Sequence, residues 1–405
     1  MKIIHSADWH IGHRLYGYDR DDEHRAFFNE LSTIVIRHKP DALIVAGDIF
    51  NTSNPTIASR RLYTEALMSL RQAAPDMRII ISPGNHDSAG RLGVERPLWE
   101  VFGVDIASDA ADTDSLIFKI GDKGYVVAVP YIFENSYPAT EAQDDLDGRM
   151  KAYHQALLDE VARRNYEGLP VVMSAHLAVA KADVVGQFDS PLSFHPIENM
   201  GHGYDYLALG HIHKAQQFNA GISAVARYAG SPFAMSFDEL REHSVTVVDI
   251  DGHNCEPVIT IEPVTPSRPL VNYNIDNPLS LDKTIESLHE LENNDDIYLR
   301  AYVSFDHRID GDAKMRLAES VRNKKARFCC IQPVFRHKPD IGEISSLISR
   351  DNLEVKSPLE IANDFYTAIY GVDMPADMAE IMREARLNVL KKQSEADSEQ
   401  NIAQE

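Results

Sequence analysis

Asp8 and His10 stand two residues apart in the segment HSADWH, directly after a short apolar run near the start of the chain. Side chains alternate across a strand, so residues two apart face the same side, and a carboxylate and an imidazole placed there can grip one cation. The arrangement recurs. Asp48 follows ALIVAG, Asn85, His86 and Asp87 follow IIISPG, His176 closes VVMSAH, and His211 and His213 follow YLALG. In open α/β sheets ligands bind beyond the carboxyl ends of the strands, so these groups are expected to converge on one rim. Oxygen and imidazole donors without thiolates suit manganese, magnesium, iron or zinc, with manganese the first choice, and the donors suffice for two ions. Two cations roughly 3.5 to 4 Å apart share a bridging carboxylate and clamp the attacking and leaving oxygens of a phosphoryl transfer. Asp48, after Gly47 where the backbone must turn tightly, is the bridging candidate. If Asn85 offers its amide oxygen to a metal, the neighbouring His86 imidazole is left to act as general acid or to stabilise charge on the leaving oxygen.

Strands and helices must alternate to hold these groups. Lys2 to Asp8 reads as a strand, and Glu23 to Arg37 as a helix with Phe27, Leu31, Ile34 and Val35 at helical spacing. Asp41 to Asp48 is a buried strand, Ala58 to Leu70 a helix and Arg78 to Ser82 a strand, which implies right-handed crossovers and a parallel core sheet. SLIFKIGDKGYVVAVPY reads as a hairpin around Asp122-Lys123-Gly124. Further strands are expected at VVMSAH, YLALGHIH, AVARYAG, SVTVVDI and VITIEPV, with a helix near Met150 to Arg164. The expected fold is α/β, a sandwich of two sheets flanked by helices, over residues 1–265.

PVTPSRP, Pro263 to Pro269, reads as a linker. Beyond it LVNYNI, LDKTIESLHEL, IYLRAYVSF, AKMRLAESV and RFCCIQPVF alternate strand and helix as a small α/β unit over 266–340. Residues 341–405 read as a helical tail. Ser357-Pro358-Leu359-Glu360 is a capping box with Pro at the first helical position, opening a helix with Ile361, Phe365 and Ile369 on one side and Gly371 at its stop. A second stripe runs through Met378, Ile381, Met382, Ala385 and Val389, before a polar, frayed end.

With 405 residues, 44% hydrophobic and 25% charged, the composition is that of a globular protein of several domains. Its apolar runs are too short to span a bilayer, and Met1-Lys2 leads straight into a strand rather than an export segment. Three cysteines, two of them adjacent at Cys329 and Cys330, do not make a disulfide framework, so a cytoplasmic home is expected. Forty basic against 62 acidic residues give a net charge of -22, which speaks against non-specific binding of nucleic acid. A polyanion must be met by local basic loops, by bound cations or by a partner. His13, Arg14, Tyr16 and Arg20, with Arg25, follow the first ligand-bearing strand and combine cations with an aromatic that could hold phosphates and stack on a base. Arg60 and Arg61 read as a solvated helix face and Trp9 as core. His5, His24, His154, His195, His202 and His253 read as satisfied structural or surface groups, with His195 and His202 near the ligand strands.

In order, D-x-H, G-D, G-N-H-D, a lone His after a strand and G-H-x-H make up the calcineurin-like metallophosphoesterase signature, and the chain resembles that family. HSADWHIGHRLYG, DDEHRAFF, ALIVAGDIFNTSNP, PGNHDS, ALGHIHKAQ and YAGSPFAMSFDE resemble, more narrowly, its nuclease members that serve in DNA break-repair complexes. The likeness is strong over the first two-thirds; beyond, it is one of layout. It implies a first metal site of Asp8, His10, Asp48 and His213 and a second of Asp48, Asn85, His176 and His211, with His86 catalytic. It also implies DNA as substrate, cut exonucleolytically as duplex and endonucleolytically as single strands or hairpins. An ATPase partner would dock on the C-terminal helices, in a heterotetramer containing two copies of each chain, with 266–340 as a cap and no membrane. Ala175 stands where the family usually has Gly, and Asn51 where it often has an acidic residue; neither change removes a ligand. The alternative is a stand-alone phosphatase or cyclic-nucleotide phosphodiesterase with the same centre.

Overall fold

The computed structural model describes residues 1–138, 145–184, 193–220, 224–306, 308–336, 357–370, 374, 378–380, 382 and 383. The chain divides into two compact units, Met1–Leu270 and Val271–Glu405.

The first unit is the expected two-sheet sandwich. One sheet runs, in spatial order, Val258–Val264, His243–Asp249, Lys2–Ser6, Ala42–Ala46, Arg78–Ser82 and Val104–Ile106. The other runs Gln216–Asn219, Val225–Tyr228, Tyr206–Gly210, Val171–His176, Gly124–Ala128 and Ile117–Ile120. The middle strands are parallel, as helical crossovers require, and antiparallel strands close three of the four edges, Val104–Ile106 lying parallel at the fourth.

Strands such as ALIVA are apolar throughout because both their faces are covered. Ile3, Ile44 and Ile80 point into the core shared with the second sheet, where Val172 and Ala208 meet them. Ile4, Leu43, Val45, Ile79 and Ile81 point the other way, onto Phe27, Leu31, Leu62 and Leu67 of the helices Asp21–His38 and Ile57–Ala73. Trp9 joins this second core, fully buried and edge-on to Phe28 at 5.0 Å. Thr56 caps the Ile57–Ala73 helix by accepting the Ser59 N–H at 3.1 Å.

Sequence patterning did not reveal the helix Ala89–Val101 or the strand Val104–Ile106. Glycine at positions 90 and 93 and Pro97 break the apolar stripe that would mark the helix, and the strand is three residues long. PVTPSRP is not a free linker either. Arg268 is buried and pairs with Glu23 at 3.1 Å, and the Thr265 N–H donates to Glu30 at 3.1 Å.

The second unit is built around Tyr298–Phe305, with Arg327–Phe335 parallel to it and the helices Leu281–Glu290 and Ala313–Ser320 packed through Leu288 and Leu317. In the helix Pro358–Tyr370 the Ser357 N–H donates to the Glu360 carboxylate at 2.7 Å and the Glu360 N–H to Ser357 Oγ at 3.3 Å, the reciprocal bonds of a capping box. The side chain of Ile369, together with Gly371, Ile381, Ala385, Val389 and most of 341–405, lies outside the described residues. Among the described residues no helix is long and apolar enough to cross a membrane.

Candidate metal centre

Two of the ligand-bearing segments leave their strands side by side. The Asp8 N–H donates to Gly47 O at 3.0 Å, the His10 N–H to Asp48 O at 2.9 Å and the Ile11 N–H to Ile49 O at 2.9 Å, so the loop after the first strand runs along the loop after the second. Strand alternation does not explain why Asp8 and His10 share a target, because regular pairing ends at Ser6. Left-handed backbone does the work. Asp8, His10, Asp48 and His211 have φ of 53°, 46°, 50° and 97°, a region that side chains enter only when surroundings hold them there.

Two glycines make room. A Cβ on Gly47, itself at φ 87°, would lie 2.0 Å from His176 Nδ1, and one on Gly84 would lie 2.1 Å from Asp48 Oδ1. Asp87 ties the loops together by accepting the N–H groups of Ile49 at 3.0 Å, Phe50 at 2.9 Å and Gly84 at 2.8 Å. Its carboxylate thereby fixes the residues after Asp48 and before Asn85 at once.

The side chains meet in overlapping groups able to hold metal: Asp8, His10 and His213; His10, Asp48 and His86; and Asp48, His176 and His211. Asp48 Oδ2 lies 3.5 Å from His10 Nε2 and 3.3 Å from His176 Nε2, between two sets of imidazoles. His10 Nε2 and His213 Nε2 are 3.1 Å apart, and Asn85 Oδ1 is 3.0 Å from His176 Nε2. Asp8 Oδ1 accepts the His211 N–H at 2.9 Å, while Asp8 Oδ2 is buried with no hydrogen-bond partner. An orphaned carboxylate oxygen and ring nitrogens converging on one point are what a cation would satisfy, and the oxygen and nitrogen donors fit divalent ions that share Asp48.

The electrostatics of the cluster are divided: against burial, the Asp48 and Asp8 carboxylates raise His176 to about 9, and Glu239 raises His213. Burial pushes the Asp8 carboxyl up to about 6, with Asp48 adding to it and the imidazoles of His176 and His213 opposing. Burial also disfavours charge on Asp48, yet His176, then His10 and His86, hold its carboxyl far below the usual range. Burial lowers His211 to about 3 and His10 well below its ordinary value, leaving both neutral, the form that binds metal.

Second partners orient the rings. The Ala46 carbonyl accepts from His176 Nδ1 at 2.8 Å, and the buried Glu239 carboxylate accepts a hydrogen bond from His213 Nδ1 at 2.8 Å. His86 Nδ1 lies 3.0 Å from the Asn51 carbonyl, which fixes a hydrogen on that nitrogen and leaves Nε2 uncommitted. The His86 N–H donates to Asp48 Oδ1 at 2.9 Å, seating His86 beside the cluster. Glu239 was not legible among the candidates: it follows the last ligand by 26 residues, in the loop PFAMSFDE, with no spacing that marks it.

The basic segment is divided. Arg14 and Tyr16 are exposed, the Arg14 guanidinium donating to Gly17 O at 2.7 Å. His13 is partly exposed beside the cluster, with burial holding it down to about 3. Arg20 departs from its expected role: it is 1% exposed, donates to Ala234 O at 2.6 Å and stacks on Phe233 at 4.6 Å, so it braces the interior instead of facing substrate. Arg25 pairs with Glu65 at 2.5 Å, and Arg60 pairs with Glu95.

This fold and this donor set define a phosphoesterase, and the chain belongs to the calcineurin-like phosphoesterase family, whose profile matches residues 1–215. The family carries a dinuclear divalent metal centre, which the clustered donors fit. The chain is similar to SbcD, the nuclease component of SbcCD, from Rhodobacter capsulatus: the two are 32% identical over 279 residues, which is 62% of this chain and 67% of that protein. It is 32% identical over 253 residues to the protein of that name from Escherichia coli K12, covering 59% of this chain and 62% of that one. The Bacillus subtilis protein of that name matches more of the length, at 29% identity over 383 residues, 88% of this chain and 89% of the relative.

Proposed function

We propose that the chain is a metal-dependent nuclease of the SbcD type, a DNA phosphodiesterase that cuts duplex ends exonucleolytically and single strands or hairpins endonucleolytically in repair and recombination. The observation that carries the reading is one carboxylate oxygen, Asp48 Oδ2, within 3.5 Å of imidazole nitrogens on two sides. Asp8, His10, Asp48 and His213 hold one ion, and Asp48, Asn85, His176 and His211 the other, with manganese favoured. When bound, such a pair supplies a water acidic enough to attack phosphorus and neutralises the charge that develops there.

The chain's own groups do the rest. Asp48 keeps the two halves of the centre at fixed separation. His86 presents Nε2 to the leaving oxygen, its Nδ1–H being committed to Asn51 O at 3.0 Å. As an imidazolium with hydrogen on both nitrogens it gives that oxygen the Nε2 proton and is left neutral. His13, Arg14 and Tyr16 flank the path of the phosphate backbone.

An SbcC-like ATPase is the partner, docked on the tail helix through Ile361 and Phe365, and two such chains pair as a homodimer within a heterotetramer in the cytoplasm. The capping role of 266–340 belongs to the same proposal. A net charge of -22 fits a nuclease whose phosphates are met by cations and a partner protein. The alternative, a phosphatase or cyclic-nucleotide phosphodiesterase, does not account for a second unit and tail. Labelled hairpin DNA incubated with the purified chain and manganese tests the reading. Cleavage is expected, and an enzyme that hydrolyses a small monoester while leaving DNA intact would overturn it.

A further inference from the structure

Beside the centre lies a cavity of about 300 Å³ that the phosphodiester chemistry does not use. It opens at His176 and His211, and its wall carries Tyr131, Phe133 and Tyr137. The Tyr131 ring stands 6.3 Å from the His176 ring and 6.4 Å from the His211 ring, and 5.1 Å edge-on from Phe133, which is 67% exposed. An exposed aromatic at the mouth of a polar site, backed by a second ring, is a stacking platform for a flat heterocycle.

The interior of the cavity is polar. His154 lines it and is fully buried. Its Nδ1 lies 2.8 Å from the Asn199 carbonyl and must carry the hydrogen to donate there. Its Nε2 is therefore a bare acceptor, and that atom is buried with no partner. Burial lowers His154 to about 4, which keeps the acceptor neutral at physiological pH. A buried acceptor without a donor is costly unless something supplies an N–H.

We infer that this cavity receives the base of a nucleotide next to the scissile phosphate, stacked on Phe133 and Tyr131, with an N–H of the base donating to His154 Nε2. The inference rests on the phosphodiesterase reading and adds a base subsite to it. Adenine, cytosine and guanine offer an exocyclic amine and thymine its N3–H, whereas N3-methylthymine offers no N–H and leaves the acceptor unmet.

Nucleoside binding to the metal-free full chain tests this by saturation-transfer NMR titration with deoxyadenosine, thymidine and N3-methylthymidine. Deoxyadenosine and thymidine are expected to bind at least fivefold more tightly than N3-methylthymidine. Phe133→Ala, at an exposed position, should weaken all three about tenfold, and His154→Phe should erase the preference. Absence of nucleoside binding, or equal affinities in the wild type and Phe133→Ala, would overturn the subsite. Hydrolysis of bis(p-nitrophenyl) phosphate with manganese, which has no base, keeps the two claims apart. If that diester is cut and no nucleoside binds, the subsite alone falls; if nucleosides bind and the diester survives, the phosphodiesterase reading falls.

Discussion

One oxygen of Asp48 has imidazole nitrogens at 3.5 and 3.3 Å on its two flanks, whereas His86 touches the cluster through its backbone and keeps a ring nitrogen for chemistry. Their removal should therefore fail differently. Asp48→Ala should lose both cleavage and bound manganese, and His86→Ala should lose on the order of a hundredfold or more in cleavage while retaining metal; metal content measured on the assayed samples separates the two. Glu239 acts on the metal only through His213. Glu239→Ala should weaken manganese affinity about 10–100-fold, with Glu239→Gln losing less, as read by titration of the free ion. His154 carries a pH signature. Its folded value of about 4 lies below the ordinary 6.5, so the unfolded chain binds a proton the folded one refuses. The stability this gives is complete above pH 6.5 and drains away as the pH falls toward 4, by about 2 kcal/mol between pH 7 and 5. Urea unfolding at both pH values, compared with His154→Phe, measures it; an identical pH dependence in the variant would contradict the assignment. At this scale the ligand types were legible because metal chemistry restricts them to few residues. The roles of Glu239, Asp87 and Arg20 were not, because each depends on a neighbour distant in sequence.

Loops rather than strands aim the ligands. Strand ends were readable from apolar runs such as ALIVA and RIIIS, since burial on both faces leaves no polar alternation to confuse them. The left-handed turns at Asp8, His10, Asp48 and His211 left no trace in residue type, because their cost is met by packing around them. Close approach is the price of this arrangement. Gly84→Ala would set a methyl 2.1 Å from Asp48 Oδ1 and 2.3 Å from its backbone nitrogen. The variant is expected to fold, with an unchanged circular dichroism spectrum, and to bind fewer than two manganese ions per chain; full occupancy would show that the loop yields more easily than its packing suggests.

For the molecule as a whole, alternation of strand and helix gave away the sandwich and the α/β character of the second unit, while short or glycine-broken elements such as Ala89–Val101 stayed hidden. The apparent linker at PVTPSRP misled because prolines mark a chain that cannot pair, not one that is unattached; Arg268 docks it on Glu23. Partner binding is proposed for the tail, where Phe365 is 37% exposed in the helix Pro358–Tyr370. Phe365→Asp should abolish co-purification with an SbcC-like ATPase while the chain still hydrolyses a simple phosphodiester, and retained co-purification would place the partner elsewhere. The dinuclear reading itself is tested most directly by anomalous diffraction from crystals soaked in manganese. Two peaks roughly 3.5 to 4 Å apart, one on each side of the Asp48 carboxylate, are predicted. A single peak, or ions bound away from Asp48, would contradict it.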